Sequence, residues 1–174
     1  MTSDRLPEPW LRGSLAEMQP VPRAVLHALE LAKEDIEKWC GDLSDSELNA
    51  NPSGIAPVAF HVRHIARSVD RLLTYAEGNT LTGEQLAALK TELDPGANRQ
   101  ELFSEFHLAL EKAAARIPAL DPSLLTEARK VGKRELPTTV GGLLVHVADH
   151  TQRHVGHAIT TAKIVLAQRN SGSQ

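Results

Sequence analysis

Apolar residues recur every three or four positions along most of the chain, which is the spacing of an amphipathic helix. The clearest example is residues 23–40, RAVLHALELAKEDIEKWC. One face of this segment carries its apolar side chains: Val25, Leu29, Ala32, Ile36 and Trp39. Pro22 suits the first turn, where a missing N–H costs nothing, and Gly41 is a suitable stop. The pattern predicts a first long helix.

The same spacing predicts three further long helices, over residues 57–78, 98–117 and 139–168. A short helix is predicted after Thr82, because Gln85 stands three residues later, as in a capping box. No segment shows a convincing strand pattern. The chain is therefore predicted to be all-α.

The segments outside these helices predict how they are joined. Residues 1–20 are rich in proline and predict an extended arm. Residues 170–174 predict a frayed tail. Residues 118–137 mix proline, glycine and alternating charge, and predict a long connection. Because two links of about 20 residues flank the third long helix, we expect a four-helix bundle with crossover connections. We expect one domain over residues 1–174.

Composition narrows the classes of function. The 174 residues are enough for one hydrophobic core, and the net charge of −3 gives no footprint for nucleic acid. No apolar run is long enough to span a bilayer, and the N-terminus MTSDRLPEPW lacks the pattern of a secretion signal. The single cysteine, Cys40, excludes an internal disulfide. We expect a cytoplasmic protein, and we interpret Cys40 as a small buried side chain, not a nucleophile.

Candidate chemistry is concentrated in HVADHTQRHVGHA, residues 146–158. At about 100° per residue, its four histidines fall within about a quarter turn of one helix face. We call this set the histidine stripe: His146, His150, His154 and His157. The stripe borders the apolar side of the last helix and therefore faces the predicted core.

The second long helix carries His61 and His64, one turn apart. Both lie near its apolar face, so their positions do not decide which one points into the bundle. Facing helices of a bundle build metal sites from such side chains, and imidazole is the commonest metal ligand. Without a metal, every buried ring nitrogen would need a hydrogen-bond partner. The nearby acids on these two helices, Asp70 and Asp149, point away from the stripe.

Other polar residues are weaker candidates. His27 and His107 each stand alone on a helix and are interpreted as packing residues or as partners of a ligand. Arg67, Arg71 and Arg153 lie beside the histidines and are weak candidates to hold a substrate anion. Their alternative interpretation is as solvated edge residues.

Two stretches, HIARSVDRLLTYAEG and HTQRHVGHA, resemble the DinB/YfiT-like superfamily, and the resemblance follows the helix order of the whole chain. It implies that His64, His150 and His154 are the metal ligands. His146 lies one turn too early for this motif. His157 stands where the family often has glutamine, and is left as a ligand's partner, a substrate contact or a fourth ligand. His61 and His146 are left as partners of a ligand or as substrate-pocket residues.

The resemblance also implies a function class. Members hold a divalent cation, zinc or nickel in many relatives, with iron and manganese as alternatives, and are frequently homodimers. Characterised members include transferases that use low-molecular-weight thiols. We therefore expect a metal-dependent hydrolase or thiol S-transferase that acts on a small molecule. The alternative is a non-enzymatic stress or interaction protein with a structural or sensory metal site.

Overall fold

The computed structural model describes residues 6–171, with side chains through Arg169. Within that range the chain forms six α-helices and one β-hairpin. The helices are α1 (Pro20–Cys40), α2 (Asp45–Leu48), α3 (Val58–Ala76), α4 (Gly83–Lys90), α5 (Arg99–Ala119) and α6 (Val140–Ser171). The hairpin strands are β1 (Ala128–Val131) and β2 (Leu136–Thr139). None of the described helices is long and apolar enough to cross a membrane.

The predicted all-α fold is confirmed, and the four predicted long helices correspond to α1, α3, α5 and α6. Local capping places two of the helix starts. The Asn98 side chain accepts a hydrogen bond from the backbone N–H of Glu101, and Thr82 and Gln85 form the predicted capping box. These bonds satisfy backbone N–H groups that a helix start leaves unpaired.

The four long helices pack in an order that differs from their order in the chain. The main contacts join α1 to α6, α6 to α3, α3 to α5, and α5 to α1. The connections from α1 to α3 and from α5 to α6 therefore cross the bundle diagonally, so the crossover topology is present. The link from α3 to α5, one of the two long links that predicted it, instead joins neighbouring helices. Their apolar faces share one core, which includes Ile36, Ile65, Phe106 and Leu144. This order also places α3 directly beside α6, the two histidine-bearing helices.

The structure corrects the prediction for residues 118–137, because this segment contributes to a hairpin. β1 and β2 pair antiparallel, with Ala128 opposite Thr139. β1 has the sequence ARKV, which lacks alternating apolar residues and so gives no strand signal. The hairpin is tied to the bundle because Arg129 Nε donates a hydrogen bond to the Ala76 carbonyl at 2.9 Å.

The prediction of an extended arm over residues 1–20 is wrong for its described part, residues 6–19. Pro9–Leu11 forms a 3-10 turn, and the chain folds back on α1. Arg12 fixes this arrangement through ion pairs to Glu30 and Glu34 at 2.9 and 2.6 Å. Residues 1–5 lie outside the described chain. At the other end α6 continues to Ser171, and the rest of the predicted tail, residues 172–174, also lies outside it.

Candidate metal centre

The imidazoles of α3 and α6 meet where these two helices pack. His61 is buried, whereas His64, His150 and His154 are each partly buried and retain access to solvent. Phe60 stacks on His64, with ring centroids 5.3 Å apart. The predicted convergence of the second and last long helices on one cluster of imidazoles is thus present in the structure.

Ring nitrogens in this cluster fall into two sets of three. The first triad is His64, His150 and His154, and the second triad is His61, His154 and His157. Within each triad one nitrogen from each residue lies within 4.8 Å of the other two. Neither His61 nor His157 joins the first triad as a fourth member among the described residues.

The first triad has the dimensions of a metal site. The Nε2 atoms of His64 and His150 lie 3.3 Å apart. Two nitrogens bound to a tetrahedral zinc ion at 2.0–2.1 Å would be separated by about 3.3 Å. The His154 ring centroid lies 4.4 Å from that of His64 and 4.6 Å from that of His150.

Glu92 holds the His64 ring in place. Its Oε2 accepts a hydrogen bond from His64 Nδ1 at 2.6 Å, and its Oε1 accepts one from Arg71 Nη1 at 2.6 Å. Burial acts to raise the pKa of Glu92, but the hydrogen bonds from His64 and Arg71 outweigh it and lower that pKa. Glu92 is therefore an ionised acceptor, the proton of His64 lies on Nδ1, and Nε2 is left with its lone pair.

The other two members of the first triad, His150 and His154, also have a neighbouring protein group at Nδ1. Ser68 Oγ donates its proton to the Ile65 carbonyl and lies 3.4 Å from His150 Nδ1, so it accepts from that nitrogen. His154 Nδ1 lies 3.0 Å from His61 Nδ1. All three Nδ1 atoms of the first triad thus lie within hydrogen-bonding distance of protein groups, while Nε2 of His64 and Nε2 of His150 face each other.

Burial favours the neutral form of three of the clustered imidazoles. Desolvation, followed by the nearby histidines, lowers the pKa of His61 and of His150 to about 4 and that of His154 to about 3. Neutral imidazole is the form that binds metal, so these groups are in their ligating form at neutral pH.

The remaining histidines lie outside both triads. His146 is exposed, with Nδ1 3.5 Å from Asp149 Oδ2 and its ring 5.2 Å from that of His150. His27 is buried, with Nε2 3.1 Å from Ser14 Oγ. His107 lies near Glu37, on the α1–α5 side of the bundle.

Each of the three arginines singled out from the sequence is paired with a carboxylate. Arg67 Nε lies 2.6 Å from Glu105, Arg71 is bound to Glu92, and Arg153 lies 2.8 Å from Asp149. Arg71 therefore supports the His64–Glu92 pair, and Arg153 is the exposed member of the three. Their role in binding a substrate anion stays a prediction.

Glu92 and Ser68 contact the histidines but are not among the site residues predicted from the sequence. Glu92 belongs to the link between α4 and α5, and only the tertiary fold brings it to His64. The carbonyls of Thr91, Glu92 and Asp94 accept hydrogen bonds from Arg63, at 2.9 to 3.3 Å, which holds this link against α3. Ser68 could have been found, because it lies one turn after His64 on the same helix.

A family model described as the DinB superfamily matches residues 28–158, which is more than half of the chain. The matched segment contains every residue of both triads. Comparison with curated proteins gives no match.

Proposed function

Because the chain belongs to the DinB superfamily, we propose that it is a metal-dependent enzyme whose first triad holds one divalent cation. One observation carries the proposal: the Nε2 atoms of His64 and His150 lie 3.3 Å apart, and one nitrogen of each ring of the first triad lies within 4.8 Å of the other two, while each Nδ1 lies within hydrogen-bonding distance of a protein group. Metal-binding histidines usually donate their second ring N–H to such a partner. The donor set of this chain therefore fits the cation.

The number of ligands supports catalysis. Three protein ligands and one open position are typical of catalytic zinc sites, whereas structural sites are closed by four. Neither His61 nor His157 supplies a fourth nitrogen to the first triad, and its three members are partly exposed. A bound divalent cation lowers the pKa of water toward about 7, or stabilises a thiolate in that position.

The protein groups around the cation would orient its histidine ligands and shield it from solvent. Glu92 and Arg71 fix the His64 ring, Ser68 supports His150, and Phe60 packs against the His64 ring. We propose zinc or nickel as the cation, because a neutral set of three imidazoles suits both, with iron and manganese as alternatives. We propose a small-molecule substrate, with hydrolysis or transfer of a low-molecular-weight thiol as the reaction, and a homodimeric protein.

Metal analysis of protein purified without an affinity tag tests the site. We expect one zinc or nickel ion per chain, lost in His154→Ala and retained in His146→Ala. The second variant is a matched control, because His146 lies on the same face of α6 but belongs to neither triad. Metal content far below one per chain, unchanged by His154→Ala, would overturn the proposal.

A second experiment separates the enzyme from the alternative of a structural or sensory site. In cobalt-substituted protein, a small thiol that enters an open position gives a thiolate-to-cobalt charge-transfer band. We expect this band on addition of 2-mercaptoethanol. A cobalt spectrum that does not respond to thiol or to small anions would mean a closed site, and would favour the non-enzymatic stress or interaction protein.

A further inference from the structure

The second triad lies beside the first and shares His154 with it. His61 comes from α3, and His154 and His157 are one turn apart on α6. The His61 ring centroid lies 5.3 Å from that of His154 and 5.4 Å from that of His157. Three imidazoles from two packed helices therefore meet at a second point of the same interface.

The nitrogens that face each other here also have a spacing that fits a cation. His61 Nδ1 and His154 Nδ1 are 3.0 Å apart. Two nitrogens bound to one cation at about 2.1 Å lie about 3.0 to 3.4 Å apart, depending on the angle between them. A divalent cation can thus replace the shared proton of this pair with little movement of either ring. His157 would supply the third nitrogen.

The shared ring makes the two positions alternatives. A neutral imidazole has one nitrogen with a free lone pair, because the other carries the proton. His154 therefore binds a cation in the first triad through Nε2, or in the second through Nδ1. The first triad is the better organised, since buried Glu92 and Ser68 hold His64 and His150. In the second, His157 is exposed and its side chain must be ordered when a cation binds.

We propose that His61, His154 and His157 form a second, weaker site for a divalent first-row cation, which overlaps the first site through His154. The inference rests on the proposed function, because the two positions compete for one ring. In the intact protein the cation occupies the first triad. When His64 cannot bind it, the cation moves to the second triad.

Competition of the protein with a chromophoric zinc chelator tests this proposal. We expect wild-type protein to bind one Zn²⁺, with an affinity that changes less than about threefold in His157→Ala. We expect His64→Ala still to bind one Zn²⁺, on the order of 100-fold more weakly, because the second triad lacks buried partners like those of His64 and His150, and such partners are typically worth about 10- to 100-fold in metal affinity. The double variant His64→Ala/His157→Ala should lose at least about tenfold more, so that His157 matters only when His64 is absent.

Controls keep the result interpretable. Circular dichroism verifies that each variant is folded, and His150→Ala replaces His64→Ala if that variant is not. Folded His64→Ala and His150→Ala that bind no Zn²⁺, beside wild type that binds one, would overturn the second site and leave the proposed function intact. The second site would also be overturned, with the proposed function intact, if His157→Ala weakened Zn²⁺ binding by the same factor in wild-type protein and in His64→Ala. Failure of wild-type protein to bind Zn²⁺ would overturn the proposed function as well.

Discussion

Glu92 Oε2 accepts a hydrogen bond from His64 Nδ1 at 2.6 Å, although the two residues are 28 positions apart in the chain. Glu92 is 5% exposed, and its other oxygen accepts a hydrogen bond from Arg71. A buried carboxylate that is held in this way permits one tautomer of His64, with the proton on Nδ1. The contact therefore fixes which ring nitrogen is available for a metal.

Glu92→Gln should weaken metal binding by about 10- to 100-fold, because the amide is a poorer acceptor for His64 Nδ1–H. Glu105→Gln is the matched control. It also removes a carboxylate partner of an α3 arginine, Arg67, but touches no histidine of either triad. We expect Glu105→Gln to keep the wild-type metal affinity, measured by chelator competition.

Nitrogen-15 NMR of metal-free protein provides a readout that a purely structural role of Glu92 would not change. We expect His64 to be the Nδ1–H tautomer in wild type and a mixture of tautomers in Glu92→Gln. Equal affinities and identical His64 tautomers in the two proteins would contradict a positioning role for Glu92.

Metal-free protein should lose stability as the pH falls from about 6.5 toward 5. The pKa of buried His61 is lowered to about 4, so the unfolded chain, with a pKa near 6.5, takes up a proton that the folded chain does not. At pH 5 this difference amounts to about 2 kcal/mol of unfolding free energy for His61 alone. Above pH 6.5 both states are neutral at this ring and the effect vanishes.

Urea denaturation in the presence of a chelator at pH 7 and at pH 5 measures this loss. His61→Gln removes the titrating ring, so its stability should depend less on pH than that of wild type. An unchanged difference between the two pH values in His61→Gln would show that His61 is not the source.

The thiol of Cys40 should be inert in the folded protein. Its side chain is fully buried at the end of α1, and desolvation raises its pKa to about 12. The reactive thiolate is therefore scarce at pH 8, and we expect alkylation to be at least about 100-fold slower than in urea. Rapid labelling of one thiol per folded chain would contradict this and would reopen Cys40 as a nucleophile.

The helices could be predicted from the sequence because their apolar faces repeat with helical spacing. Leu29, Ile36, Ile65 and Val69 occupy that pattern and are buried in the core. The strand ARKV could not be predicted from the sequence. Its side chains show no apolar alternation, and the hairpin depends on backbone pairing. The arm was mispredicted because its fold depends on Arg12 reaching Glu30 and Glu34, which are distant in sequence.

The candidate site was predictable only in part, for related reasons. Helical spacing places the histidine stripe on one face of α6, but it does not decide between His61 and His64 on α3. In the structure the two rings face different histidines of α6: His61 Nδ1 faces His154 Nδ1, whereas His64 Nε2 faces His150 Nε2. These orientations depend on how α3 packs on α6, which the sequence pattern does not give. Glu92 carries no local signal, because its contact with His64 exists only after the link between α4 and α5 packs on α3.

A crystal structure with anomalous scattering data at the absorption edge of the bound metal tests the central claim most directly. We expect a single strong peak about 2.0 to 2.1 Å from the Nε2 atoms of His64, His150 and His154, with a water or small ligand in the remaining position. A peak elsewhere, or one enclosed by four protein ligands, would contradict the account.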